Sequence, residues 1–338
     1  MFATQFKNFL PRKNNNAMRV SIFIPTGNRA SSLDKVLLSL TKQSYKNFEV
    51  IIVDYKSTDN TEKIINKYSN KLRIKVINQK KKGLTNAANM ALKNAKGKIF
   101  IRTDDDVVMD KGWLNAIVDT FESDKKIGGV TGPAVIPMRF RANRDLLIIE
   151  RKFRLGSPVW RMIGRFYFGY LMDNRQYESG LWLDSGAFSF GSNFPQSKKY
   201  PQHEVANLEP CNYAVRTKLL KAVGGFDPVY TGVGEYHEAD AALKIKNLRY
   251  KLIFNPKSSL NHCPSRDGLF NARPCRYSRM LNFIIFYRRN IRLDSFRKIH
   301  KFFAYIIFQN CYYIYAAIVN KQPKQLGAVP GTIMGFLK

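Results

Sequence analysis

From residue 19 to residue 132 the chain alternates short β-rich apolar runs with amphipathic helical segments, and few folds accept that pattern. Residues 20–24 form a β-branched and aromatic run ended by Pro25. Ser31 then reads as a helix N-cap with Asp34 three residues on, and Leu33, Val36, Leu37 and Leu40 fall on one helical face. Residues 48–53 read as a second strand. Ser57, Thr58 and Asp59 can cap a helix that buries Ile64, Ile65 and Tyr68. A third strand over 73–77, a helix over 84–95 and a fourth strand over 98–101 complete the series. Strand–helix alternation of this kind predicts parallel strands joined by right-handed crossovers, a Rossmann-like α/β sheet flanked by helices. Such sheets bind ligands beyond the carboxyl ends of their strands. The segments in that position are 25–29, 54–57 and 102–106.

The last of these carries Asp104, Asp105 and Asp106 in succession. Adjacent carboxylates repel one another and call for a compensating cation. The sequence offers them no evident partner. At a strand end they read as a hard-oxygen site for Mg²⁺ or Mn²⁺, able to bridge a diphosphate and neutralise a leaving group. An acidic surface turn is the competing reading of an isolated triplet.

Several further motifs add to this. Residues 20–29 resemble the opening strand and Pro-Thr-x-Asn-Arg loop of glycosyltransferase family 2. The segments 43–54, 57–61 and 83–89 resemble the family's next strand and helix starts, and the acidic cluster comes at the expected distance. Residues 210–216 and 223–227 resemble its acceptor-side block. The resemblance covers about 19–136 and 205–295. It implies a GT-A fold, inverting transfer from a nucleotide-diphosphate sugar (a hexosyltransferase reaction) and a divalent metal. It implies that Thr26, Asn28, Arg29, Asp54, Asn89 and Asp104 hold the nucleotide sugar, and that the metal is held among Asp104, Asp105, Asp106 and His262. It places the catalytic base in residues 235–240, with Glu238 at the position normally held by an Asp and Asp240 beside it. Two departures stand out: Tyr55 replaces a second Asp after Asp54, and either 103–105 or 104–106 fits the metal motif. Strand-end turn chemistry, and carboxylates favoured at a helix N-terminus, are the bland alternatives for these residues.

Composition bears on where such a protein works. There are 56 Lys and Arg against 25 Asp and Glu, a formal charge of +31, which points to a polyanionic partner. Residues 1–18 read as a disordered basic arm without a signal peptide, 19–275 as the GT-A domain and 276–338 as basic and apolar helices. Within the domain, 19–136 is the nucleotide-sugar half, 137–208 an aromatic, basic insertion whose weak periodicity assigns no elements, and 209–275 the acceptor half. Met280, Phe283, Ile284, Tyr287 and Ile291 share a helical face, interleaved with arginines. Residues 302–319 carry no charge, and their aromatics suit a membrane interface, either lying on it or crossing as one segment. Cys211, Cys263, Cys275 and Cys311 form no CxxC pair and read as reduced thiols. These features predict work on the cytoplasmic face of an anionic membrane, and with them the resemblance implies an enzyme of glycan or polysaccharide assembly acting on a glycan or lipid-linked acceptor. Two rivals remain: a basic nucleic-acid-binding protein, which no RNA- or DNA-binding signature supports, and a nucleotidyltransferase, whose Gly-rich phosphate loop is missing from 25–29.

Overall fold

The computed structural model describes residues 19–143, 145–265 and 276–338. The expected N-terminal arm and Cys275 lie outside the described residues. The chain runs β1 (Val20–Thr26), α1 (Ala30–Thr41), β2 (Phe48–Asp54), α2 (Thr61–Tyr68), β3 (Ile74–Asn78), α3 (Leu84–Asn94), β4 (Ile99–Thr103) and β5 (Val107–Met109). It continues through α4 (Trp113–Ser123), β6 (Ile127–Thr131), β7 (Ala134–Val135), α5 (Asp145–Leu155) and α6 (Pro158–Arg165). Then come β8 (His203–Glu204), β9 (Asn212–Arg216), α7 (Thr217–Ala222), α8 (His237–Asn247), β10 (Lys251–Phe254) and β11 (Leu260–His262). The chain ends on α9 (Tyr277–Asn290), α10 (Phe296–Val319) and α11 (Ala328–Leu337).

The main sheet has the order β3-β2-β1-β4-β9-β6-β10-β8. The predicted parallel half is present: β1 pairs in parallel with both β2 and β4, and β2 with β3. Strand β9 then runs antiparallel between β4 and β6. Buried on both faces, β1, β2 and β4 are near-continuous apolar runs, as parallel strands covered by helices must be. One face packs under α1 and α4 through Leu33, Val36, Trp113 and Ile117. The other packs under α3, α7 and α8 through Ala88, Leu220 and Ile245.

The start of α1 differs from expectation. Ser31 lies inside the helix and caps nothing. The Ala30 N–H instead donates to Asp59 Oδ2 at 3.0 Å, while Asp34 pairs with Lys67 at 2.8 Å. Asp59 also accepts from the Thr61 N–H, so one carboxylate caps the starts of two neighbouring helices.

The insertion is largely helical. Its weak periodicity has a physical cause: most of its aromatics pack against the C-terminal helices in a core of their own rather than against the sheet. Phe153, Tyr167 and Leu171 join Phe283, Phe302 and Tyr305 there. Helix α9 runs through that core and is buried from Met280 to Tyr287 on all sides, not on one face as its sequence suggested; Ile291 follows its end.

Candidate active site at the carboxyl ends of β1, β2 and β4

Three parallel strands end side by side, with Thr26 opposite Asp54 across β1 and β2. Asn28 takes a left-handed backbone with φ 54°, which its short polar side chain tolerates. Its Oδ1 accepts from the Thr58 N–H at 2.6 Å, and its N–H donates to Ser57 Oγ at 2.8 Å. The Ser57 hydroxyl in turn donates to Asp54. Asn28 and Asp54 thereby brace the two loops that rim the sheet.

The acidic cluster has partners that the sequence did not show. Thr26 Oγ1 donates to Asp105 Oδ2 at 2.8 Å. Arg29 reaches Asp105 at 2.8 Å with one terminal nitrogen and Asp106 at 2.6 Å with the other. Asp104 pairs with Arg102, a buried residue on β4, at 2.9 Å. So Arg29, expected on the nucleotide, grips the carboxylates instead. Burial pushes the Asp105 carboxyl up to about 7 against the pull of Arg29. Burial also acts on Asp106, but His262 and Arg29 outweigh it and hold that carboxyl well below the usual range.

His262 arrives through the short sheet. Strand β11 pairs antiparallel with β5 and sets His262 opposite Val107, beside Asp106. Its Nε2 lies 3.3 Å from Asp106 Oδ1, a buried atom without a hydrogen-bond partner. Two ligands each about 2.1 Å from one metal ion, at roughly right-angled to tetrahedral geometry, stand about 3.0–3.4 Å apart. An orphaned carboxylate oxygen and an imidazole nitrogen at that separation fit a divalent cation. A second donor set overlaps it: ligand atoms of Asp104, Cys211 and His262 lie within 4.8 Å of one another. Cys211 was not foreseen. It comes here because Asn212 pairs with Thr103 across β9 and β4, a register that no local sequence signal announces. A cleft of about 330 Å³ opens at Asp106, between Ser31, Ser32 and Lys35 of α1 and the 263–265 segment.

The expected base segment stands at the start of α8. Tyr236 turns the chain with φ 75° and Glu238 follows in the first helical turn, 7% exposed. Burial pushes the Glu238 carboxyl up to about 7, outweighing the attraction of Arg102. Arg102 therefore lies between Asp104 and Glu238 electrostatically and links the two ends of the site. His237 beside it is held well below its ordinary value by burial and by Arg102, hence neutral.

Two expected site residues are taken up elsewhere. Asp240 accepts from Tyr230 at 3.2 Å and from Asn290 at 3.1 Å, and pairs with Lys244 at 2.7 Å. Asn89 spends its amide on the Phe226 backbone, donating at 2.7 Å and accepting at 3.0 Å. Both brace the fold: a helix-face Asn and a helix-turn Asp carry no sign in sequence of which partner will claim them.

Comparisons with known proteins bear on the family and the fold. The sequence model described as Glycosyl transferase family 2 matches residues 21–190, half of the chain. A poly(ribitol-phosphate) β-N-acetylglucosaminyltransferase, TarS of Staphylococcus aureus, is 36% identical over 213 residues, which is 60% of this chain and 34% of that protein. A chondroitin synthase of Pasteurella multocida is 30% identical over 129 residues, 37% of this chain and 13% of that protein. The chain thus spans about a third or less of the length of these relatives. Among solved structures, residues 1–349 of S. aureus TarS in complex with UDP-GlcNAc superpose with a TM-score of 0.56 at 18% identity, covering 94% of this chain and 81% of that one. A mannosyltransferase of Pyrobaculum calidifontis in complex with GDP-Man and Mn²⁺ gives 0.54 at 17% identity, covering 95% and 88%. These likenesses establish the fold, that of the GT-A glycosyltransferases.

Proposed function

The chain belongs to glycosyltransferase family 2, and on that premise we propose that it transfers a sugar, with inversion, from a nucleotide-diphosphate sugar to a hydroxyl of a glycan or lipid-linked acceptor. The observation that carries the reading is Glu238. It is a buried carboxylate with acidity near neutral, linked through Arg102 to the Asp104 end of the site. Inverting transfer needs one carboxylate to take the acceptor hydroxyl's proton as that oxygen attacks the anomeric carbon, and a base works best with a pKa near the operating pH. Its neighbours are poorer candidates, since Glu235 is paired with Arg279 at 3.2 Å and Asp240 with Lys244.

The donor belongs over the strand ends, against the loops that Asn28 and Asp54 brace. Thr26 and Arg29 hold Asp105 and Asp106 in place. Asp106 and His262, with Asp104 and Cys211 at the border, would hold Mn²⁺ or Mg²⁺. Such an ion, when bound, supplies positive charge for the diphosphate leaving group. Work at the cytoplasmic face of an anionic membrane agrees with the formal charge of +31 and with α10, a helix long and apolar enough to cross a bilayer.

A panel of nucleotide sugars with Mn²⁺ or Mg²⁺ tests the reading, scored by thermal shift and by nucleotide release. One donor should raise the melting temperature in the presence of metal and release its nucleoside diphosphate. If no member of the panel does either, the assignment falls.

A further inference from the structure

The outward face of α10 is apolar along its whole length. Phe296, Ile299, Phe303, Ile307, Cys311, Ile314 and Ile318 recur at three- or four-residue spacing, and all are exposed, Ile307 by 63% and Ile318 by 71%. Single exposed apolar residues need no explanation, but a contiguous stripe does. The stripe does not stop at one helix. Phe166, next in the chain after α6, is half-exposed and touches Phe308 of α10 with ring centroids 6.3 Å apart. It ends a second stripe on α6, with Met162 one turn back and Val159 two turns back, 58% and 60% exposed. On the other side Phe303 stacks on Phe336 at 6.2 Å and joins the exposed Ile333 and Leu337 of α11. Three helices from two distant parts of the chain thus present one apolar face.

The rim of this face is basic. Arg161 and Arg165 flank the α6 stripe, Arg297 stands at the start of α10, Lys321 and Lys324 lie past its far end, and Lys338 follows α11, all exposed. A second copy of the chain seated here would bring like charges together, which opposes association. An anionic bilayer offers apolar depth for the stripe and negative headgroups for the rim.

The inner face of α10 excludes a spanning helix. Lys301 is 2% exposed and paired with Asp173. Phe302, Tyr305, Ile306 and Tyr313 are built into the core shared with α9 and the insertion. Asn310 donates to the Thr332 hydroxyl of α11 at 3.0 Å. Crossing a membrane would strip all of these contacts, the buried Lys301–Asp173 pair among them.

We infer that α6, α10 and α11 together form a monotopic seat that lies in the plane of an anionic bilayer with α10 not crossing it. The inference rests on the membrane location proposed above and specifies its topology and its second contributor, the insertion. It also orients the enzyme. Phe283 of α9 touches Tyr236, next to the Glu238 turn, on one side and Phe302 of α10 on the other, so one helix layer, about 10 Å thick, separates the base segment from the seat.

The full-length protein is tested by flotation with vesicles of phosphatidylcholine alone and with about one-third phosphatidylglycerol. Two exposed pairs are replaced separately, Met162→Glu with Phe166→Glu on α6, and Ile307→Glu with Ile318→Glu on α10. Circular dichroism melts report folding, which exposed sites should leave unchanged. Each pair should lower partition onto anionic vesicles about ten-fold or more, and alkaline carbonate should extract the bound wild-type protein. If the α10 pair weakens binding but the α6 pair does not, the composite seat is wrong and a single amphipathic helix holds the protein. Resistance to carbonate means that α10 spans. If the wild type ignores both vesicles at low salt, the membrane location itself fails. A lipid-free dimer that the same substitutions dissociate would make a second copy the occupant.

Discussion

Replacing Glu238 by Gln keeps the shape of the side chain and removes only its ability to take a proton. Proton transfer by a positioned side chain contributes about 10²–10⁴ in rate, so kcat should fall by that factor while donor binding stays near wild type. The structure adds a second, opposite consequence. Burial raises the Glu238 carboxyl from its ordinary 4.5 to about 7. The folded state therefore holds this proton more tightly than the unfolded chain. The stability this gives is fully present below pH 4.5 and is lost as pH rises through 7. The difference corresponds to about 3 kcal/mol, a few degrees of melting temperature in a chain of this size. Glu238→Gln should accordingly melt higher than wild type at pH 8, with the advantage vanishing near pH 4.5. The kcat/KM profile of the wild type should show an acid limb with its midpoint near 7. The assay is nucleotide release from the donor identified by the panel, run beside calorimetric melts at several pH values. Wild-type kcat in the mutant would show that the base lies elsewhere. A lowered kcat without a pH-dependent gain in stability would refute the burial argument.

Asp240→Asn should act differently, destabilising by about 1–3 kcal/mol through loss of the Lys244 pair while donor-induced thermal shift persists, because its partners are structural. Chelation should abolish turnover, and Asp106→Asn or His262→Ala should each weaken Mn²⁺-induced thermal stabilisation of the protein without donor; undiminished stabilisation in both would remove this pair from the metal site. Arg29→Met should lower metal-free stability by leaving Asp105 and Asp106 without their shared guanidinium, and Mn²⁺ should restore part of the loss, read as a larger metal-induced shift than in wild type.

The parallel half of the sheet was legible because β1, β2 and β4 are buried runs rich in β-branched residues, and β1 and β2 lead into helices with one apolar face, a purely local signal. The loops after Ile24, Val53 and Ile101 came out of that topology, and Thr26, Asp105 and Asp106 do meet there. What stayed hidden depends on register across distant strands. Nothing local says that Asn212 pairs with Thr103 and so brings Cys211 to the cluster, or that β11 sets His262 opposite Val107. The partners of the acidic triplet were missed for a related reason: Arg29 reads as a loop residue and Arg102 as an odd charge within a strand, and only the folded geometry aims both at carboxylates. The insertion was opaque because its aromatics answer to the C-terminal helices, a partner more than 100 residues away. Asn89 shows the converse limit, since a motif residue can match in sequence and be spent on the Phe226 backbone.

The proposed reaction is a single displacement with Glu238 opposite the leaving group. The anomeric configuration of the first-formed product measures this directly, by proton NMR during turnover of a donor of known configuration. A single displacement gives a product of the opposite configuration to the donor, formed without a covalent sugar–enzyme intermediate. A product that retains the donor's configuration would contradict it.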